Sequence, residues 1–416
     1  MVDRYGTRRR ARWARAGAPV ALALGAALVL GAALVPAGTA WAVAGSESWA
    51  AELAVGGGDD ANVVARDGAI RLASTSPRAT STGPAPAEGE LLLPPRRVAA
   101  VTDRVAADAT TERPAGSDVV VAVRGLRGDG SWSQWTTATT SAPALLPEAT
   151  LEVQVRVTLV AGAGGASPSL RRLWLTAGRA PAATPPPATD ALTARVFATR
   201  VGLVGNRTAN GHRVVPDDRF VALPSRRGLA ADGTGDYTVQ ICTDAGRCAW
   251  APVWDLGPWN TRDDYWSPTN TRETFRDLAR GVPEAQAAAT VGYAGGRDGS
   301  GRRVSNPAGI DLADGTFSDD LALRDNAWVQ ATYLWTGSGR SGTARGGAPI
   351  TVRATPTAGA RDVGVVAPHA RVPVQCATRA PTPAGRTGSS PSGWLRLGAG
   401  RYVPADALEV TDVPAC

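Results

Sequence analysis

Forty-eight glycines and 31 prolines, nearly one residue in five of 416, deny this chain any long helix. Glycine forfeits backbone entropy in a helix, and proline removes a donor and clashes with the preceding turn. No long stretch keeps a strong helical period, and short runs alternate apolar and polar residues instead. Leu151-Glu152-Val153-Gln154-Val155-Arg156-Val157-Thr158-Leu159 alternates without a miss, which predicts a half-buried antiparallel strand. Val119-Val120-Val121-Ala122-Val123 and Leu170-Arg171-Arg172-Leu173-Trp174-Leu175 are further strand candidates. The fold class expected is mainly β.

Residue counts exclude several chemistries. There is no lysine, so a P-loop, a Schiff-base enzyme and a serine–lysine dyad are out. His212 and His369 are the two histidines, and no Cys-x-x-Cys accompanies them, so the usual zinc sites are out too. The aspartates from Asp311 to Asp320 do not follow calcium-loop spacing. No metal and no cofactor are expected.

The formal net charge is +7, and its source matters. Arg4, Arg8, Arg9, Arg10, Arg12 and Arg15 precede the uncharged stretch 18–37, and Ala40-Trp41-Ala42 supplies small residues for cleavage. Residues 1–42 therefore read as a signal peptide, the alternative being an uncleaved anchor that would be the one membrane contact. That segment holds six arginines and one aspartate, leaving about +2 for the remainder. Nucleic acid is excluded as a partner, because counterion release needs clustered positive charge on the folded protein. The expected location is secreted, extracellular or cell-wall associated. Four cysteines suit that setting. Cys242 and Cys248 flank a hairpin turn, and Cys376 and Cys416 remain as the second pair.

Composition shifts divide the chain. Residues 43–180 read as a β-sandwich accessory domain in which 79–96, rich in Pro, Ala, Gly and Ser, is a long loop. Trp132 and Trp135 there are either a sugar-stacking face or sandwich packing. Residues 181–190 read as a Pro-rich linker and 338–349 as a Gly-rich linker. Residues 191–337 form the central domain. Within it, 272–289 is the best helix candidate and 295–303 a flexible loop. Residues 350–416 hold about five short strands, enough for a small barrel.

Three resemblances follow from quoted motifs. Residues 119–175 resemble β-rich accessory regions beside secreted actinobacterial wall amidases. In the last piece, Trp394-Leu395-Arg396-Leu397 and Gly400-Arg401-Tyr402-Val403 resemble the late pattern of bacterial SH3-type domains. That resemblance implies a cell-wall-binding module, with Trp394 and Tyr402 as ligand-facing aromatics. In the central domain the order is Thr208-Ala209-Asn210-Gly211, Ala222-Leu223-Pro224, Val253-Trp254-Asp255-Leu256-Gly257-Pro258-Trp259, then Gly309-Ile310-Asp311-Leu312-Ala313. This series resembles the double-psi β-barrel of rare lipoprotein A and expansins. The resemblance implies glycan-strand cleavage of lytic-transglycosylase type, in which the sugar's own hydroxyl attacks.

The residue chemistry suits that reading. An aspartate at a strand end beside a Gly-Pro turn projects into a groove, and apolar neighbours raise its pKa toward that of a general acid. Asp255 is the expected acid, Asp311 its partner, and His212 a residue that orients or relays a proton. Trp254, Trp259, Tyr265, Trp266 and Asn210 are the expected groove lining. His212 stands where the family's enzymes carry glutamate, which leaves a non-catalytic wall binder or a structural envelope protein as alternatives. The expected partner is peptidoglycan or another cell-wall polysaccharide.

Overall fold

A computed structural model describes residues 46–180, 190–379 and 393–416. The expected signal peptide and residues 181–189 of the expected linker lie outside the described residues. The described chain is mainly β, with one α-helix.

Residues 46–180 build a nine-stranded antiparallel sheet around their own apolar core. Two 17-residue strands, Arg96–Glu112 and Ala144–Val160, change partners along their length. The expected alternation is real, but its polar face is not in water. Val153, Val155, Val157 and Leu159 enter the core, while Gln154, Arg156 and Thr158 are buried on the opposite face. That face packs on the central domain. Arg156 donates to the carbonyls of Leu229 and Arg226 at 3.2 and 2.6 Å. Trp135 lies between the guanidinium groups of Arg124 and Arg156, 4.4 and 4.5 Å from its ring centre. Trp132 takes Arg124 at 4.5 Å. Trp135 is thus packing between modules, its Nε1 donating to the Leu229 carbonyl at 3.3 Å, while Trp132 is half-buried.

The central domain is a closed six-stranded barrel. Its strands are β1 (Leu192–Arg200), β2 (Val221–Leu223), β3 (Thr238–Cys242), β4 (Cys248–Leu256), β5 (Ala308–Leu312) and β6 (Ala327–Tyr333). The order around the barrel is β2-β5-β1-β6-β3-β4, and a β4–β2 pairing closes it. The pairs β1–β5 and β2–β4 are parallel, and the other four are antiparallel. Closure pairs the edges that short strands otherwise leave exposed, except at the start of β4.

One turn occurs twice in this barrel. Arg207 pairs with Arg213, and Arg297 pairs with Arg303. In each, the arginine donates to a glycine carbonyl four residues on, Gly211 at 2.7 Å and Gly301 at 2.8 Å. Both glycines have positive φ, +95° and +83°, a region costly for other residues. The second copy replaces the flexible loop expected at 295–303. Buried Asp298 fastens it by accepting the N–H groups of Ser300 and Arg302.

The expected helix over 272–289 is reduced to α1 (Glu284–Val291). Pro283 stands at its N-cap, and the residue before a proline is pushed out of helical conformation. Upstream, Arg272 is drawn inward by Asp263, and Phe275 has φ +53°.

The expected linker 338–349 contains a strand. Ser341–Ala344 pairs with Arg371–Pro373 and Leu408–Glu409. The C-terminal strand Asp362–Val366 pairs with the start of β4 in parallel, so the last module continues the barrel's sheet. One apolar cluster runs through both, from Trp250 to Val366 and Val403. Disulfides join Cys242 to Cys248 and Cys376 to Cys416, as the cysteine pairing predicts.

Candidate functional site

Asp255 and Asp311 come together because of strand register. Ala222 of β2 pairs with Asp255 on β4 and with Asp311 on β5. Cross-strand partners share a face, so both carboxylates stand on one side, with β2 between their strands and the Ala222 methyl as the side chain between them in the row. Thr199 of β1 completes the row as the partner of Asp311. Its hydroxyl donates to Asp311 Oδ1. Asp255 Oδ1 accepts the N–H groups of Ala209 and Leu256, each at 2.8 Å.

Neither carboxylate faces open solvent, contrary to the trough expected there: Asp255 is 2% exposed and Asp311 1%. The cover comes from the first module. The stretch expected as a loop at 79–96 contains strand Glu88–Leu92 of the large sheet and, before it, a small hairpin of strands Arg78–Thr80 and Gly83–Ala85. Arg78 Nη1 reaches Asp255 Oδ1 at 2.7 Å. The Ser81 hydroxyl donates to Asp311 Oδ2. Arg302 donates to the carbonyl of Thr82 at 3.3 Å and to that of Trp259 at 2.5 Å.

Burial dominates the electrostatics. It raises the Asp255 pKa, opposed by the Arg78 charge and by the two backbone N–H groups. It raises Asp311 to about 7, with the Ser81 and Thr199 hydroxyls opposing and the negative charge of Asp255 adding to the rise. The proton is thus favoured on Asp311, which two hydroxyls face, while the Arg78 guanidinium counters the rise at Asp255.

Cavities lie on both sides of the hairpin. One, about 620 Å³, is lined by Ser76, Arg78 and Ala79 and by Asn210 and Asp232 of the barrel. The other, about 390 Å³, is lined by Thr80, Thr82 and Pro84 and by Trp259, Asn260 and Arg302. Trp259 has φ +61°, a strained backbone of the kind that persists at functional sites. Its Nε1 donates to Asn306 at 3.2 Å.

Several expected lining residues are elsewhere. Tyr265 and Trp266 are fully buried in an aromatic cluster with Tyr333 and Trp335, and the Tyr265 hydroxyl meets that of Tyr333 at 2.6 Å. Four rings in one place bury more apolar area than a groove wall would, so they belong to the core. Trp254 alternates to the face opposite Asp255. It packs on His212 at 4.8 Å, and its Nε1 donates to the Thr234 carbonyl. Asn210 does line the first cavity, and it also builds its own turn, accepting from Thr208 and donating to the Ala230 carbonyl. Trp394 is buried, Tyr402 is half-buried, and neither lines the two cavities.

His212 is a clamp and not a proton relay to the carboxylate pair. Its Nε2 meets Asp218 at 2.9 Å and its Nδ1 meets Asp232 at 3.2 Å. The Asp218 contact first, then that to Asp232, raises its pKa from 6.5 to about 9. A histidine raised in this way stabilises the fold fully below pH 6.5, and that contribution is lost as pH rises through 9. His212→Gln is therefore expected to cost on the order of 2 kcal/mol at pH 6 and little at pH 10, read by chemical denaturation at both pH values.

Arg78, Ser81, Thr199 and Arg302 are the contributors that sequence reasoning missed. Among the described residues no cluster of three or more His, Cys, Asp or Glu is arranged to hold a metal, and no helix is long and apolar enough to cross a membrane. Neither curated proteins nor solved structures gave a match to the chain. One family model, described as a domain of unknown function (DUF8814), matches residues 192–332, from the first residue of β1 to the penultimate residue of β6.

Proposed function

We propose that this is a secreted protein that cleaves cell-wall glycan strands in the manner of a lytic transglycosylase, with Asp255 and Asp311 as its working pair. The observation that carries the reading is the register that sets two buried carboxylates on either side of Ala222, under a hairpin whose residues line two cavities. Asp311, with a pKa of about 7, holds a proton to give at neutral pH. The protonated member donates to the glycosidic oxygen and the bond to the anomeric carbon breaks. A hydroxyl of the same sugar closes on that carbon, and its proton passes to the ionised member. One proton enters and one leaves, so the pair is regenerated.

Support also comes from the architecture. The two parallel pairs and the repeated arginine–glycine turn favour a double-psi barrel for 191–337. The hairpin carrying Trp394 and Tyr402 favours an SH3-type wall-binding module for the C-terminal piece. The two disulfides suit a location outside the cell.

The test is prolonged incubation with purified peptidoglycan, followed by mass spectrometry of soluble products. Anhydro-muropeptides are the expected product. Pelleting with the wall and no product supports an expansin-like binder, which the covered state of the pair favours as second reading. Neither pelleting nor product contradicts both readings.

A further inference from the structure

We propose that the hairpin at residues 78–85 is an intramolecular plug, seated where a hydroxyl-bearing polymer would lie, and that it must leave for the two flanking cavities to join into one binding groove across the barrel mouth. The inference rests on the reading of the carboxylate pair as the working site.

Four observations carry it. The hairpin divides the cavities: Ser76 to Ala79 line one, and Thr80 to Ala85 contribute to the other. The cavities, about 620 and 390 Å³, each fall within the size range of small-molecule sites, about 300–1,000 Å³.

Second, the groups the hairpin presents to the carboxylates are donors. Arg78 gives an N–H to Asp255, and Ser81 gives a hydroxyl to Asp311. A sugar hydroxyl would make the second bond in the same way. The hairpin therefore satisfies a site whose buried acceptors would otherwise pay for desolvation.

Third, the hairpin is weakly tied to its own module. It is a separate two-stranded sheet of three residues per strand, outside the nine-stranded sheet. None of residues 78–85 is buried, and none belongs to an apolar core. An isolated two-stranded hairpin is marginal by itself. Its position therefore depends on three polar anchors: Arg78 to Asp255, Ser81 to Asp311, and Arg302 to Thr82. Segments with few apolar contacts open at low free-energy cost.

Fourth, the modules on either side are firmly joined. Arg156, Gln154 and Arg124 are buried at their interface, and Trp135 is held between two guanidinium groups. The hairpin can swing out while the modules stay docked. A ligand that binds only the open state shifts the population by its affinity for that state.

The experiment compares the wild-type protein with Arg78→Ala/Ser81→Ala, both lacking no other part of the chain. Solvent access is read by carbodiimide-driven coupling of glycinamide to carboxyl groups, mapped by mass spectrometry at Asp255 and Asp311. Wall association is read separately by pelleting with purified peptidoglycan. The double variant is expected to label at those two aspartates at least tenfold faster, with other carboxyls unchanged, and to bind the wall at least tenfold more tightly. Faster labelling without tighter wall binding upholds the plug and contradicts the polysaccharide reading. Unchanged labelling in a cooperatively folded variant overturns the plug, whatever the wall assay gives. Should the double variant not fold, Ser81→Ala replaces it. Ser81 is exposed and outside every core cluster, and at least threefold faster labelling is expected. Unchanged labelling there overturns the plug equally.

Discussion

Asp311→Asn is expected to lower glycan-strand cleavage by about 10²–10⁴-fold, the usual contribution of a general acid, while making the folded protein more stable above pH 7. Asparagine keeps the shape: its carbonyl oxygen accepts from one of the Thr199 and Ser81 hydroxyls and its amide N–H donates to the other, so the site's geometry is retained. The gain in stability follows from linkage. The Asp311 carboxyl titrates near 7 when folded and near 3.8 when unfolded. Between those values the folded state binds more protons, so the wild type loses stability as pH rises through that window. Asparagine does not ionise and escapes this loss, a difference of about 4 kcal/mol at pH 8. Denaturation at pH 5 and pH 8, run beside the cleavage assay, checks both halves. A purely structural aspartate would show the same pH-dependent gain with cleavage unchanged.

The largest loss of stability is expected at Asp263→Ala. Asp263 and Arg272 have side chains 1% and 0% exposed and meet at 2.5 Å. Asp263 also accepts the N–H of Glu284, the first residue of α1. Burial raises Asp263 to about 6 despite the neighbouring guanidinium, so the pair is held at a desolvation cost. Removing the carboxylate strands a buried cation, leaving Arg272 the Val282 carbonyl at 3.0 Å. Such losses run at about 3–5 kcal/mol. Asp263→Ala/Arg272→Met is expected to recover most of the loss, because no unpaired charge remains. A double-mutant cycle by urea denaturation measures the recovery.

Much of the barrel was legible because its information is local. The Asp-Leu-Gly-Pro-Trp string marked the end of β4, and the spacing of Cys242 and Cys248 marked the hairpin between β3 and β4. What was not legible depends on partners distant in sequence. Arg78 and Asp255 are 177 residues apart, and no period in either segment announces the contact. The Pro-rich stretch around Arg78 read as loop because a three-residue strand is too short for alternation to register. Arg156 and Gln154 looked solvent-facing for a related reason: polarity in a strand does not say whether water or another module lies opposite. Tyr265 and Trp266 read as groove lining because an aromatic ring suits a sugar face as well as it suits a core. Asp263, in its pairing with Arg272, is itself part of the interior.

The central claim is that Asp311 holds a proton at the barrel mouth at neutral pH. It is tested most directly by ¹³C NMR titration of the aspartate side-chain carboxyls, with the Asp311 resonance assigned by its loss in Asp311→Asn. The account predicts an inflection near pH 7 for Asp311. Titration of that carboxyl below pH 5 would contradict it.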